Sequence, residues 1–225
     1  MIARRRLDEF VNDADYVTRR SERDGGRGSK QRLVWVCPYY KRWCGMKERA
    51  GGDRLLKVSP TYADVSCCDD WLLFSNFKAW MVTQPWNFEK SGLDKDLRIP
   101  GSKIYSPDTC RFIPPYINNL VIEKPYARGS YPLGACFDSQ SGRFKGQVRS
   151  RGNLTTRLFD NVKEAHGFFQ VTKARDIRTE VLNWKSHISF DQKIADNLLA
   201  VSERLLYDNL LGRETISYFP LVERT

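Results

Sequence analysis

One stretch of the chain, SGLDKDLRIPGSKIYSPDTCRFIPPYINNL (residues 91–120), concentrates residues that can do chemistry. Two carboxylates, Asp94 and Asp96, flank Lys95, and the amide of Asn118 follows near the end of the stretch. Carboxylate and amide oxygens are ligands that suit Mg²⁺, and carboxylates and amines can carry protons. In the alternative interpretation, the aspartates only flank a surface strand and Asn118 is only an amide at the start of a helix.

The same stretch predicts the elements that must position these side chains. LDKDL indicates a short strand, IPGSK a turn that contains glycine, and CRFI a returning strand. PPYINNLVIE then indicates the start of a helix, because proline is tolerated in the first helical turn. We therefore predict the order strand, turn, strand, helix.

A second stretch, RFKGQVRS, predicts a strand with one cationic face. Because side chains alternate between the faces of a strand, Phe144, Gly146 and Val148 should point toward a helix and the core. The side chains expected on the opposite face are Arg143, Lys145, Gln147 and Arg149. We predict that Arg151 and Arg157 extend this row beyond the turn. Arginine binds phosphate or guanine and glutamine pairs with adenine, so the row predicts DNA contact; a solvated sheet face is the alternative.

The remaining segments predict mostly helices. Aromatic residues recur at helical spacing between Leu33 and Met81, including Trp35, which favours helices with a buried face. LTTRLF predicts another strand, and helices are expected over residues 161–178 and in the final segment, where apolar residues form a stripe. A helix is also predicted over residues 2–20, followed by a glycine-rich loop.

The composition indicates a folded protein that meets a polyanion. The chain has 225 residues, a formal net charge of +10 and a hydrophobic content of 41%, and nucleic acid is the first partner expected for such a basic chain. No apolar run is long enough to span a bilayer and the start does not resemble a signal peptide, so we expect no membrane partner and a cytoplasmic location. The six cysteines should then be thiols, with zinc bound by Cys44, Cys68 and Cys110 as the alternative.

The second half of the chain resembles the AP2 DNA-binding domain. The resemblance rests on the Tyr-x-x-Gly opening at Tyr131, the GRFKGQVR strand, a third strand ending in LFD and a helix beginning with VKEAH. It implies a three-stranded sheet, backed by one helix, whose strands lie in the major groove of double-stranded DNA. The first strand reads ACFD where AP2 domains of plant regulators carry arginines.

The first half resembles HNH and homing endonucleases encoded by bacteriophages. The matching segments lie within residues 37–120 and are CPYYKRWCGMKER, YADVSCCDDWLLFSNFKAWM, LDKDL and KIYSPDTCRFIPPYINNL. The resemblance implies a ββα nuclease that hydrolyses phosphodiester bonds with Mg²⁺ or another divalent metal. In it, Asp94 and Asn118 would bind the metal, and Lys95 or Asp96 would stand where the general-base histidine is expected. It also implies the cytoplasm of an infected bacterial cell as the location.

Together these expectations define an α+β protein. The expected parts are a basic N-terminal arm (1–32), an HNH-like ββα domain (33–122), an AP2-like three-stranded sheet with a helix (131–182), and a C-terminal helix and tail (186–225). The only histidines, His166 and His187, lie downstream of the nuclease-like segment. The alternative function is therefore a catalytically inactive relative that binds DNA or a host protein.

Overall fold

The computed structural model describes residues 4–23, 25, 30–58, 62–86, 90–122 and 130–219. The predicted linker over residues 121–130 and the glycine-rich loop after Arg23 lie largely outside these ranges, as does the end of the C-terminal tail. The fold is α+β, as predicted. The chain divides into two compact units, one within Met1–Asp96 and Ser102–Phe112 and the other within Leu97–Gly101 and Ile113–Thr225.

In its described residues, the first unit combines three small sheets with three α-helices. Its strands are β1 (Arg19–Arg23), β2 (Gln31–Val36), β3 (Ser66–Cys67), β4 (Gly92–Asp94), β5 (Ile104–Tyr105) and β6 (Arg111–Ile113, whose last residue belongs to the second unit). Its helices are α1 (Pro38–Gly51), α2 (Asp53–Val58) and α3 (Phe74–Thr83). The pairs are β1 with β2, β3 with β5, and β4 with β6. A strand, a turn and a returning strand are therefore present, as predicted. The first strand ends at Asp94, however, so that Lys95 and Asp96 lie in the turn, and β5 precedes the returning strand.

Helical aromatic spacing correctly predicted the core of the first unit. Trp43 on α1 and Phe74 on α3 are almost fully buried, and their rings lie 5.7 Å apart. The Trp43 indole N–H donates to the carbonyl of Trp71 at 2.8 Å, so this large polar ring is buried without an unsatisfied donor. Trp35 differs from the prediction, because it lies on β2 and is 42% exposed.

The helix predicted over residues 2–20 is wrong in the part that is described. There the chain forms a 3₁₀ turn at Leu7–Glu9 and then enters β1. Apolar residues do recur at helical spacing in this segment, at Leu7, Phe10, Val11, Ala14 and Val17. The backbone of Val11 instead exchanges hydrogen bonds with Leu72 and Phe74, so pairing with a distant segment replaces the helix.

Two arginines of the expected basic arm are instead part of the folded unit. The Arg4 guanidinium donates to the carbonyls of Arg49 and Gly52 at the end of α1, at 3.0 Å each. Arg5 donates to the carbonyl of Cys67 at 3.2 Å and pairs with Asp69. Carbonyls at the end of a helix have no partner within the helix, so donation from these two cations stabilises the fold.

The second unit contains the three-stranded antiparallel sheet that the sequence predicted. Its elements are α4 (Pro115–Asn118), β7 (Ala135–Asp138), β8 (Arg143–Ser150), β9 (Asn153–Phe159), α5 (Val162–Trp184) and α6 (Gln192–Leu210). The strand order is β7-β8-β9. The side chains of Asn161 and Asp191 accept hydrogen bonds from the first turns of α5 and α6 and so set where these helices begin. The short helix α4, expected within the nuclease-like domain, belongs to this second unit.

One face of the three-stranded sheet packs closely on α5. Gly146 faces the helix, where a Cβ atom would lie 2.5 Å from the carbonyl oxygen of Ala165. Val148 on the same face is buried, whereas Phe144 is half-buried and makes edge contacts with Phe137. The predicted alternation along β8 is therefore confirmed. The apolar stripe of α6 is also buried, at Ile194, Leu198, Val201 and Leu205.

Candidate nucleic-acid interface

The face of the three-stranded sheet that points away from α5 is the first candidate interface; we call it the outer sheet face. In the antiparallel register, Lys145 lies between Cys136 and Leu158, and Gln147 lies opposite Thr156. All side chains of this face are at least partly exposed, including Leu158 at 37%. The residues of the outer sheet face are Cys136, Asp138, Arg143, Lys145, Gln147, Arg149, Leu154, Thr156 and Leu158.

Two of its three cations are paired with carboxylates. Lys145 Nζ lies 2.9 Å from Asp138 Oδ1, and Arg143 Nε lies 2.9 Å from Asp160 Oδ1. Hydrogen bonds from the Ser141 hydroxyl and the Lys145 ammonium lower the pKa of Asp138, while the same carboxylate raises the pKa of Lys145. Both lysine and aspartate are therefore charged at neutral pH, and the positive field of the lysine is partly cancelled.

The other two predicted contact residues on β8 remain available. The Arg149 guanidinium donates to the carbonyl of Gly152 at 3.1 Å, but no carboxylate in the described ranges pairs with it. The side-chain amide of Gln147 makes no hydrogen bond to another described residue. A guanidinium and an amide on one exposed strand can form hydrogen bonds with phosphates and with the edges of guanine and adenine.

Arg151 does not extend the row as predicted. Its Nε and Nη2 atoms contact the two carboxylate oxygens of Glu180 on α5 at 2.7 and 2.5 Å, and its guanidinium lies 4.2 Å from the ring centre of Tyr116. The Glu180 side chain is only 6% exposed, so the arginine neutralises a carboxylate that is otherwise surrounded by protein. The structure thus gives Arg151 a role in holding the turn onto α5.

Arg157 is also misplaced by the prediction. It lies opposite Gly146 in the β8–β9 register and therefore on the α5 side of the sheet. It is exposed there, with its guanidinium 5.4 Å from the ring centre of Phe159. Counting residues back from the tight turn at Arg151 and Gly152 would have revealed this, because one step in register changes the face of every side chain.

The carboxylate-rich turn in the first unit is organised around Lys95. This lysine is 5% exposed; its ammonium donates to the carbonyl of Ser102 at 2.7 Å and pairs with Asp96. Asp94 is half-buried at the end of β4, and the Asp96 side chain is 55% exposed. Lys95 therefore ties the two ends of the turn together. Sequence spacing identified this cluster but not the direction in which the ammonium points.

This arrangement is unfavourable for the predicted chemistry at Lys95. An ammonium that is paired with a carboxylate has no lone pair to accept a proton, and its charge opposes a divalent cation close by. Asn118, the other proposed ligand, is the half-buried last residue of α4 in the second unit. In the described ranges, no group of three or more histidine, cysteine or acidic side chains is placed to hold a metal ion. The donor set around Lys95 thus fits Mg²⁺ poorly.

The cysteines are unpaired thiols in the first unit and on β7. Burial raises the pKa of Cys67 and of Cys110 to about 12. Both are therefore protonated at neutral pH and pack as small apolar side chains. Among the described residues, Cys44, Cys68 and Cys110 do not form a cluster that could hold the zinc ion considered above.

Comparisons with known proteins add no family to these observations, since no family model, curated protein or solved structure matches the chain. The resemblances to HNH endonucleases and AP2 domains stay predictions. Among the described helices, none has the length and apolar character needed to cross a bilayer.

Proposed function

We propose that the protein binds double-stranded DNA through the outer sheet face. The observation that carries the proposal is the pair Gln147 and Arg149 on the central strand, because both point away from α5 and neither meets a carboxylate in the described ranges. The overall charge of +10 supplies the long-range attraction to a polyanion.

The sheet supports two kinds of contact. The guanidinium of Arg149 is suited to a phosphate or to the O6 and N7 atoms of guanine, and the amide of Gln147 to the N6 and N7 atoms of adenine. The threonine and leucine side chains of β9 beside them are exposed and offer apolar contact to thymine methyl groups. Alternation holds these groups on one rigid surface, because the opposite face is fixed against α5.

Salt-dependent binding to duplex DNA tests the proposal. We expect Arg149→Ala to reduce the slope of log affinity against log salt by about 0.9, and Gln147→Ala to weaken discrimination at one base by about 1–3 kcal/mol. Arg157→Ala is the matched control, because it removes an exposed arginine from the opposite face. Binding by Arg149→Ala that is indistinguishable from wild type at low and moderate salt would exclude the outer sheet face as the interface.

The geometry favours a non-catalytic DNA-binding protein over a nuclease. The buried Lys95 ammonium occupies the position beside Asp94 where the HNH resemblance places a base, and it is already engaged by Asp96 and Ser102. To act as a general base, Lys95 would have to lose its proton and both of these contacts.

Metal-dependent DNA hydrolysis is the second candidate function, favoured by the pairing of β4 with β6 and by Asp94 at the end of β4. Incubation of supercoiled plasmid with the protein and Mg²⁺ or Mn²⁺ tests it. Nicking by the wild-type protein that is lost in Asp94→Ala would establish the nuclease. Equal nicking by both proteins, or none by either, would leave DNA binding as the function.

A further inference from the structure

The ribbon formed by β1 and β2 is exposed on both faces. Every residue of β1 is exposed, as is every residue of β2 except Val36, which is half-buried. Exposure includes large apolar side chains, with Leu33 at 55% and Trp35 at 42%. A two-stranded ribbon without packing on either face is only marginally stable in water. A partner that covers the exposed side chains of such a ribbon would therefore stabilise it.

The charge of the ribbon indicates which partner that is. Its only described acidic residue is Glu22, its described cations are Arg19, Arg20, Arg23 and Arg32, and Lys30 directly precedes β2. None of these cations forms an ion pair within the described ranges, and Glu22 forms none with Arg32 although the two lie directly opposite. Elsewhere in the chain Arg5, Arg143 and Arg151 have carboxylate partners, whereas Arg149 and Arg157 have none in the described ranges. Among the described residues, no carboxylate thus neutralises the arginines of the ribbon, and their charge complements phosphate.

The register distributes this charge over both faces. Arg20 lies opposite Trp35, with its guanidinium 5.6 Å from the indole ring centre, and the pair Glu22–Arg32 shares that face. Arg19 and Arg23 lie on the other face, opposite Val36 and Gln31. A bulge after Arg20 places Val34 between the paired residues and increases the twist of the ribbon. Cations on both faces suit an element that stands between two phosphate-lined walls.

We propose that the β1–β2 ribbon is a second DNA-contacting element, which enters the major groove of duplex DNA and contacts phosphates on both sides of it. The inference rests on the proposed DNA-binding function and adds a contact in the first unit to the outer sheet face of the second. The major groove is about 12 Å wide and admits a two-stranded ribbon. Arginine is suited to this role because its planar guanidinium forms paired hydrogen bonds with phosphate oxygens. The exposed Trp35 and Leu33 side chains lose their contact with water in the same step.

The test removes charge from the ribbon without changing side-chain length greatly. The ribbon variant combines Arg20→Gln, Arg23→Gln and Arg32→Gln. The matched control combines Lys41→Gln, Arg54→Gln and Lys57→Gln, three exposed cations of α1 and α2 in the same unit. Fluorescence anisotropy with a labelled duplex of about 30 base pairs then gives affinity over a salt series. Each lost phosphate contact lowers the slope of log affinity against log salt by about 0.9, so we expect a decrease of about 2 to 3 for the ribbon variant.

The control variant should keep a slope within about one contact of wild type, because its cations lie outside the ribbon. An Arg→Lys version of the three ribbon positions should restore the slope but not the full affinity, since ammonium groups keep the charge and lose the paired hydrogen bonds. Thermal unfolding followed by circular dichroism verifies that each variant is folded. If the triple variant unfolds, Arg23→Gln and Arg32→Gln are tested singly, each with an expected decrease of about 0.9.

A ribbon variant with the slope of wild type, or a control variant that loses as much, would overturn the ribbon inference. In that case a lowered slope for Arg149→Ala would still support the outer sheet face, so the two proposals are separable. Absence of duplex binding by the wild-type protein would overturn both.

Discussion

The β1–β2 ribbon and the β7-β8-β9 sheet are both antiparallel and both rich in cations, but they differ in what surrounds those cations. The sheet has one face packed on α5, and two of its three outer cations have carboxylate partners. The ribbon has neither a packed face nor an ion pair in the described ranges. A cation that is already paired with a carboxylate therefore contributes less to phosphate binding than a cation without such a partner.

This difference changes how the basic composition is interpreted. Arg4 and Arg5 donate hydrogen bonds to carbonyls of the first unit, and Arg151 neutralises a buried carboxylate of the second. These arginines contribute to the net charge but are already engaged by the fold. In the described ranges, the arginines of the ribbon and Arg149 have no carboxylate partner, and the same holds for exposed cations such as Arg157 and Arg54 outside the two proposed interfaces.

The largest expected effect concerns the packed face that the sheet has and the ribbon lacks. Gly146→Ala should lower the free energy of unfolding by about 3 kcal/mol, because the new methyl group meets the Ala165 carbonyl and the Phe168 ring between sheet and helix. Ser21→Ala on the exposed ribbon is the control and should change stability by less than about 0.5 kcal/mol. Urea unfolding measures both. A similar small effect for Gly146→Ala would contradict the close packing of β8 on α5.

The second prediction separates structural arginines from contact arginines. Arg151→Met should lower the free energy of unfolding by about 2 kcal/mol, because the carboxylate of Glu180 loses two charge-assisted hydrogen bonds in a nearly buried position. The salt dependence of DNA binding should stay as in wild type. Arg157→Met, which removes an exposed arginine without a carboxylate partner, should leave stability within about 0.5 kcal/mol. A stable Arg151→Met protein with a lowered salt slope would restore Arg151 to the interface.

The smallest effect tests whether ion pairing limits the sheet. Asp138→Asn removes the charge that neutralises Lys145, so we expect the slope of log affinity against log salt to rise by up to about 0.9. An unchanged affinity would show that the paired lysine already contacts DNA as well as a free one. Ser141→Ala is a useful comparison, because it removes a hydrogen bond to Asp138 but leaves its charge in place.

The same carboxylate gives this prediction a pH dependence. The pKa of Asp138 is lowered in the folded protein, first by Ser141 and then by Lys145. Its contribution to stability is therefore present above the ordinary aspartate value of about 3.9 and is lost as the pH falls through the lowered folded value. Between pH 5 and pH 8 the affinity difference between wild type and Asp138→Asn should be constant. A difference that shrinks between pH 6 and pH 5 would contradict the lowered pKa.

Patterns within single elements were predicted well from the sequence. Alternation placed Gly146 and Val148 on the packed face of β8, and helical spacing placed Trp43 and Phe74 in the core. These predictions are correct because the buried face of one element depends only on the local repeat of apolar residues. That repeat is every second residue in a strand and about every 3.6 residues in a helix.

Placement across elements was predicted less well. Arg157 was assigned to the wrong face because the assignment ignored the register, which the tight turn at Gly152 sets. The helix expected over residues 2–20 is wrong because backbone groups of this segment pair with distant parts of the chain, Val11 with the segment around Leu73 and Arg19 and Arg20 with β2.

The sequence by itself determined which residues are chemically able to act: the cations and amide of β8, the arginines of the ribbon, and the carboxylates around Lys95. Only the tertiary structure decided which of them are free. Lys95 is engaged by Asp96 and Ser102, and Arg151 by Glu180 from α5. The physical reason is that a charged side chain interacts with any polar or charged group within several ångströms of it in the folded protein. Its partners are therefore set by packing between distant segments and not by neighbours along the chain.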